Sequence, residues 1–258
     1  MMAKLGVVII LFVFLSCAGA LPVVTTGLVS YYSFNGNAND GYGTSHGSPQ
    51  NGAYLTSGYT GTAASAYAFD GIDDYIDCGS SPATQFSDNQ SFSISLWMNV
   101  VANDNRKPVI DRYRYGIEVG PDESLYFWVR TYDAATWTSS AATYTTPLNA
   151  GSWYHVVAVY EDFGTTQNVK LYLNGYLIQS VSGPLSNTYP YTSLYIGKSN
   201  HIGGIYYQGS MDEVALYQRA LGDAEVMQLY GVPEPSTIIL FFIFGIFLFK
   251  MKMKNRGE

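Results

Sequence analysis

Short stretches of alternating hydrophobic and polar residues dominate the middle of this 258-residue chain. The clearest stretch is 91–101, in which five apolar side chains occupy alternate positions: Phe92, Ile94, Leu96, Met98 and Val100. This pattern predicts an antiparallel strand with one buried face and with Trp97 on the wetter face. Segments 126–130 and 153–160 are apolar at consecutive positions, which predicts central strands.

The pattern also predicts one hairpin and one helix. Segments 169–173 and 176–181 flank Asn174-Gly175, a dipeptide that tolerates positive φ at both positions of a tight turn. This turn would pair Leu173 with Tyr176 and Leu171 with Ile178. Only residues 223–230 have a helical pattern, with acidic residues at the N-terminal end. The fold class is therefore all-β, an antiparallel β-sandwich.

Charge and aromatic content separate the body of the chain from its two ends. Residues 21–231 contain 8 Lys and Arg against 18 Asp and Glu, a net charge of −10, and they hold all 23 Tyr. A nucleic-acid partner is disfavoured, because the body has no cationic stripe that could displace counterions.

The N-terminus has the layout of a secretory signal. Lys4 precedes an apolar run that is too short to span a membrane, and Ala18-Gly19-Ala20 matches the small-residue cleavage rule for signal peptidase. The alternative is a lipoprotein signal in which Cys17 is acylated. Cleavage after residue 20 leaves Cys78 as the only thiol, which predicts a small buried apolar residue and no internal disulfide.

The C-terminus, residues 232–258, has three parts in a fixed order. Pro233-Glu234-Pro235 comes first, an apolar run over 238–249 follows, and a basic end closes the chain. This layout resembles the PEP-CTERM sorting signal of Gram-negative exopolysaccharide producers, in which an exosortase removes the tail. The resemblance implies a transient inner-membrane stage and a final place in the extracellular matrix or at the cell surface. A permanent tail anchor is the alternative.

Six segments of the body resemble blocks of the LamG-like, concanavalin A-like lectin/glucanase family in the family's order. They are Ala66–Ile76, Phe92–Trp97, Trp153–Tyr160, Lys170–Gly175, Ile196-Gly197 and Gly209–Leu221. The resemblance implies one jelly-roll domain over 21–231, with an N-terminal signal helix and a C-terminal hydrophobic helix outside it.

A catalytic site is not expected. Glucanases of this superfamily place acidic residues at alternating positions of one strand, and no Glu of the chain has that spacing. Asp212 and Glu213 are adjacent, so a regular strand would point them to opposite faces. His155 falls in a family block and is interpreted as a hydrogen-bonded structural residue. A degenerate glycoside hydrolase is the weakest of the functional alternatives.

A binding surface remains as the favoured interpretation. Aromatic faces stack on sugar C–H groups, so Tyr and Trp in polar, loop-like segments are candidate contacts for a polysaccharide or surface glycan. The candidates are Trp137, Tyr113, Tyr115, Tyr206 and Tyr207. More than half of the Tyr residues are expected to fill the core instead. A structural or adhesive protein that binds other proteins is the alternative.

A structural calcium ion is the one cofactor expected, because LamG-like jelly rolls commonly bind calcium. The first and last strands of a jelly roll are neighbours, here 28–34 and 210–218, and antiparallel pairing would bring loop 35–41 close to Asp212. The expected ligands are Asn35, Asn37, Asp40 and Asp212. The alternative is that these residues form ordinary turns.

Overall fold

In a computed structural model of the chain, the described residues are 24–86, 90–102, 105–133, 136–183 and 192–231. The strands are β1 (Leu28–Tyr32), β2 (Ser48–Gln50), β3 (Tyr54–Thr56), β4 (Ala66–Asp70), β5 (Tyr75–Asp77), β6 (Phe92–Val100), β7 (Lys107–Asp111), β8 (Tyr115–Val119), β9 (Leu125–Asp133), β10 (Thr136–Tyr144), β11 (Trp153–Asp162), β12 (Gln167–Leu173), β13 (Tyr176–Gly183), β14 (Tyr195–Ile196) and β15 (Gln208–Tyr217). A 3₁₀ turn (Pro82–Thr84) precedes β6, and helix α1 (Asp223–Tyr230) follows β15.

The two predicted terminal segments lie outside the described residues. Both predicted terminal helices, Cys17 and the motif Pro233-Glu234-Pro235 belong to those segments. Within the described ranges, no helix is long and apolar enough to cross a membrane.

The strands form two antiparallel sheets. The eight-stranded sheet has the order β13-β12-β11-β6-β15-β4-β3, with β1 also paired to β15. The seven-stranded sheet has the order β10-β9-β8-β7-β14-β5-β2. The predicted pairing of the first and last strands is confirmed, since Tyr32 lies opposite Val214. Central places for β9 and β11 are confirmed as well, because each has a neighbour on both sides.

The alternating pattern produces the core. On β6, Phe92, Ile94, Leu96, Met98 and Val100 are all fully buried between the sheets, whereas Trp97 lies half-buried on the outer face. Cys78 is buried in the same core, as predicted. Burial of apolar surface at about 25 cal/mol per Å² is the main stabilising contribution of this layer.

A second apolar layer covers part of the outer face of the eight-stranded sheet. Helix α1 contributes the buried Val226, which packs with Tyr31, Val157 and Tyr217. The helix has Gly222 at its N-cap, and the backbone N–H of Gly222 donates to the side chain of Glu225 at 3.0 Å. The predicted helix 223–230 is confirmed with these bounds.

The predicted hairpin is confirmed at its turn but not along its length. Asn174 and Gly175 both have positive φ (50° and 86°), and Leu173 lies opposite Tyr176. A register shift between Leu171 and Tyr172 then places Leu171 opposite Gln179. The predicted pairing of Leu171 with Ile178 is therefore wrong, because a β-bulge adds one residue to one strand only.

Candidate binding face and the residues around it

The outer face of the seven-stranded sheet carries an aromatic surface. On β9, Leu125, Phe127 and Val129 are fully buried, and the alternate residues Tyr126, Trp128 and Arg130 point outward and are half-buried. The strand registers place Trp128 opposite Gly116, Gly116 opposite Asp111, and Asp111 opposite Tyr195. These four residues form one row across four neighbouring strands. At the spacing of β-strands the row is about 14 Å long.

Trp128 lies flat across the glycine of the next strand. A Cβ atom at Gly116 would lie 2.5 Å from Cζ2 and 2.8 Å from Cε2 of the indole, so a larger residue would displace the ring. The guanidinium of Arg130 lies 5.0 Å from the Trp128 ring centre and 4.4 Å from that of Tyr113. Trp128 also meets the His201 ring edge-on, with centres 5.2 Å apart.

A cavity of about 250 Å³ opens beside these rings. Its walls combine two aromatic rings, an imidazole and four polar or charged side chains with one Ala: Arg106, Glu118, Tyr126, Trp128, Arg130, Ser139, Ala141 and His201. An apolar floor with a few directed polar groups at its edge is the usual composition of a small-ligand site.

The position of Tyr113 is set by the turn between β7 and β8. Tyr113 has a positive φ (62°), and buried arginines flank it on both sides. Arg112 donates to Ser81 O, to Gln85 Oε1 and to Thr84 Oγ1, while Arg114 donates to Phe86 O. Because both neighbours point inward and hold the segment 81–86, the ring between them faces outward.

A second aromatic group extends the surface. Tyr75, Tyr195 and Tyr206 surround the ammonium of Lys198, whose Nζ lies 4.0, 4.9 and 5.9 Å from the ring centres of Tyr75, Tyr195 and Tyr206. We call the whole surface the aromatic face. It consists of Trp128, Tyr113, Arg130, His201, Tyr75, Tyr195, Tyr206 and Lys198.

Two carboxylates on this side of the sheet already have partners. Asp111 accepts from His201 Nδ1 at 2.8 Å and from the backbone N–H groups of Tyr113 and Asn200. Glu118 forms an ion pair with Arg106. Both carboxylates therefore hold neighbouring side chains of this surface in place.

The five predicted aromatic contacts have different positions. Tyr113 and Tyr206 belong to the aromatic face. Tyr115 and Tyr207 are fully buried, and their hydroxyls donate to Thr84 O and Asn99 O, both at 2.8 Å. These two predictions are wrong, because both residues face the core. Trp137 lies in β10 opposite Tyr132, and its side chain is outside the described part.

The predicted calcium ligand Asp40 organises its surroundings through hydrogen bonds. Asp40 Oδ1 accepts from the backbone N–H groups of Tyr31, Tyr42 and Gly43, and its Oδ2 accepts from that of Ser45. These four N–H groups hold the loop that follows β1 around the carboxylate.

The other members of the predicted set have separate hydrogen bonds. Asn37 Oδ1 accepts from Asn39 N at 2.8 Å, and the backbone N–H of Asn35 is directed at Ser33 Oγ. Asp212 Oδ2 accepts from Tyr59 N in a different loop, at 3.2 Å, while its Oδ1 has no hydrogen-bond partner. The ligand set Asn35, Asn37, Asp40 and Asp212 and calcium binding by the chain both stay predictions.

The acidic pair of β15 departs from the regular strand that the sequence predicts. Glu213 has a positive φ (52°), and the register of β15 with β6 shifts between Asp212 and Ala215. Because of this bulge, both carboxylates lie on the outer face of the eight-stranded sheet, where Tyr31 donates its hydroxyl to Glu213. The prediction that they point to opposite faces is wrong for this reason.

A third acidic group, Asp70, Asp73 and Asp74, is a turn. Their carboxylate atoms lie within 4.8 Å of one another. Asp70 Oδ1 accepts from the backbone N–H of Ile72 at 2.8 Å, and Asp74 Oδ2 accepts from that of Asp70 at 3.0 Å. These bonds close the connection between β4 and β5.

The fold and the aromatic face define a lectin-type β-sandwich. Residues 69–227 match the concanavalin A-like lectin/glucanases superfamily, and the chain belongs to this family. No curated protein sequence matches the chain.

Several solved structures share the fold. Domain 4 of AbnA, an extracellular arabinanase from Geobacillus stearothermophilus crystallised with arabinotriose, is 22% identical, with a TM-score of 0.60 over 79% of this chain and 98% of the domain. The receptor-binding domain of botulinum neurotoxin C/D mosaic serotype is 12% identical, with a TM-score of 0.62 over 80% of this chain. The binding domain of botulinum neurotoxin DC in complex with SialylT is also 12% identical, with a TM-score of 0.54 over 72% of this chain. This chain covers 51% and 46% of the two toxin chains.

Proposed function

We propose that this protein is an exported, non-catalytic module that binds an oligosaccharide or polysaccharide on its aromatic face. The observation that carries the proposal is the row from Trp128 to Tyr195, in which outward-facing rings lie beside cationic side chains. Aromatic rings stack on the C–H groups of sugars, and the neighbouring Arg, Lys and His side chains donate to sugar hydroxyls.

The size of the face favours a chain of sugars over a single ring. Trp128 and Tyr195 stand three strands apart, about 14 Å, with the cavity at one end and the Lys198 group at the other. Weak stacking at several points along such a surface adds up to useful affinity.

Two structures of the same fold support a glycan ligand. The AbnA domain was crystallised with arabinotriose, and the toxin domain with SialylT. An uncharged ligand such as arabinotriose is compatible with a body that has a strongly negative net charge.

Binding without chemistry on the aromatic face is favoured by the state of the two carboxylates there. A retaining glycosidase needs two free carboxyl groups about 5 Å apart on either side of the bond. Asp111 and Glu118 are instead paired with His201 and Arg106.

Export would proceed in two cleavages. Signal peptidase would remove residues 1–20, and an exosortase would remove the tail that begins at residue 232, releasing the domain into the extracellular matrix or to the cell surface of a Gram-negative bacterium. Mass spectrometry of extracellular material should find a C-terminus near Pro235. Recovery of intact Glu258 in membranes would contradict this sorting step and favour a tail anchor.

Glycan binding is tested with a glycan array, followed by affinity measurements on two variants. Trp128→Ala should weaken binding of any array-positive glycan by about two- to twelvefold, since stacking of one ring contributes about 0.5–1.5 kcal/mol. Tyr54→Ala is the matched control, because Tyr54 is 61% exposed on the other sheet. Equal loss in both variants, or no binding on the array, would overturn the proposal. Recovery of protein partners without sugar would then favour an adhesive function.

A further inference from the structure

A separate cavity lies on the outer face of the eight-stranded sheet, on the other sheet from the aromatic face. Its volume is about 210 Å³. Its walls are the rings of Tyr59 and Trp97, the apolar residues Ala215 and Leu229, and the polar side chains of Ser95, His155, Glu213 and Gln228, with Gly231 at the end of α1. The cavity thus lies between strands β6, β11 and β15, the loop before β4, and helix α1.

Three side chains in and next to this cavity offer hydrogen-bond acceptor atoms: Glu213, Asp212 and His155. Glu213 lines the cavity with a carboxylate, and its neighbour Asp212 is 2% exposed with Oδ1 lacking any hydrogen-bond partner. His155 is also 2% exposed, and its Nδ1 has no partner. Its Nε2 lies 3.0 Å from Ser95 Oγ. When Nε2–H donates to Ser95, the Nδ1 of the neutral ring is a bare acceptor.

The two carboxylates lack a counter-ion within the described part of the chain, where no Lys or Arg forms an ion pair with Asp212 or Glu213. Burial raises the pKa of both carboxyl groups, and the proximity of Glu213 contributes further to the raised pKa of Asp212. Two buried anions without a counter-ion are costly, and a bound cation would offset that cost.

We propose that this cavity binds a small organic ammonium ion. A primary ammonium has three donors and no acceptor, which complements the Glu213 carboxylate, Asp212 Oδ1 and His155 Nδ1. The stacked rings of Tyr59 and Trp97, whose centres lie 4.2 Å apart, form an aromatic wall, and Ala215 and Leu229 receive an apolar stem. A divalent metal fits less well, since calcium needs six to eight oxygen ligands and much of this wall is carbon. The site is independent of the aromatic face, so failure of one proposal leaves the other standing.

The test uses the purified full-length protein and two probes of equal size. Butylammonium is titrated while the indole N–H resonance of Trp97 is followed by NMR, and neutral 1-butanol is the comparison. Butylammonium should bind with a Kd of about 1 mM, as expected for a ligand of five heavy atoms. It should bind at least tenfold more tightly than 1-butanol. Equal affinity for the two probes, or no shift with butylammonium, would overturn the proposal.

Two variants test whether the Glu213 carboxylate binds butylammonium. Glu213→Gln keeps the shape and should weaken butylammonium at least tenfold, because a hydrogen bond to a charged group contributes about 1.5–3 kcal/mol. Glu161→Gln is the control, since Glu161 pairs with Lys170 outside the cavity and should leave the affinity unchanged. Displacement of butylammonium by calcium chloride at matched ionic strength would contradict the proposal and assign the cavity to a metal.

A pH series keeps the test informative if Glu213→Gln fails to fold. The ionisable groups that face the two carboxylates are Tyr31 from β1, Tyr59 from the loop before β4, His155 from β11 and Tyr230 from α1. Burial lowers the pKa of His155 to about 3 and raises those of Tyr31 and Tyr59, so His155, Tyr31 and Tyr59 stay neutral between pH 5 and 8. Affinity for butylammonium should therefore fall as the pH is lowered and the carboxylates are protonated. Constant affinity over this range would overturn the proposal.

Discussion

Gly116→Ala tests the placement of Trp128 on the aromatic face. The added Cβ would lie 2.5 and 2.8 Å from two indole carbons and 2.9 Å from Ile110 O, so the indole must move. Gly116 does not have a positive φ, so the substitution adds no backbone strain of its own. Overpacking of this kind costs about 1–3 kcal/mol. We expect a lower thermal midpoint, by about 2–4 °C for each kcal/mol, and weaker glycan binding.

The matched control is Gly203→Ala. A Cβ at residue 203 meets no atom within 4 Å, so stability and affinity should both stay unchanged. A double-mutant cycle then isolates the clash. In a Trp128→Ala background two of the three close contacts are gone, and the cost of Gly116→Ala should fall by more than half. An unchanged midpoint in the single variant, or the same cost in both backgrounds, would refute the reasoning.

Three further predictions concern buried charged and polar groups. Arg112→Met should lower the free energy of unfolding by at least about 3 kcal/mol in urea titrations, because it leaves three acceptors in segment 81–85 without their donor. The pKa of Asp212 is raised to about 7 by burial and by Glu213, so its stabilising contribution is present at low pH and is lost as the pH rises towards 7. Asp212→Asn should therefore flatten the fall in unfolding free energy between pH 4 and 7, and a slope equal to that of the wild type would contradict this assignment. Burial lowers the pKa of His155 to about 3, so its imidazole resonances should not move between pH 8 and 5 in an NMR titration, whereas a titration midpoint in that range would contradict its burial.

The local pattern of apolar and polar residues predicts most of the fold, because alternate residues of a sandwich strand face the core and are apolar. The β6 alternation, the Asn174-Gly175 turn, helix 223–230 and the pairing of β1 with β15 all follow from local sequence and known topology. The bulges do not. Glu213 has a positive φ where the register of β15 with β6 shifts, and no local residue signals this conformation.

The candidate site was harder to predict because burial of a ring depends on the opposite sheet. Tyr115 and Tyr207 resemble surface Tyr in sequence, yet each begins or precedes a strand with its ring turned inward. Trp128 was missed, since its strand looked apolar on both faces. The usable signal was the alternation of Tyr126, Trp128 and Arg130, which puts two rings and a cation on one side of a strand.

The aromatic face itself was not predicted as a unit for a related reason. Tyr75, Tyr195 and Tyr206 come from distant parts of the chain and meet only through the order β14-β5 and the bridge between Lys198 and Tyr206. The spacing of these three residues along the sequence does not indicate that they lie together in the fold.

The most direct measurement of the central claim is an NMR footprint of a bound glycan on the isotope-labelled protein. Binding on the aromatic face predicts the largest shifts at the Trp128 indole N–H and at backbone amides of β8, β9 and β14, with β6, β11 and β15 unchanged. Shifts concentrated on the eight-stranded sheet, or glycan binding that leaves the Trp128 resonance in place, would contradict the claim.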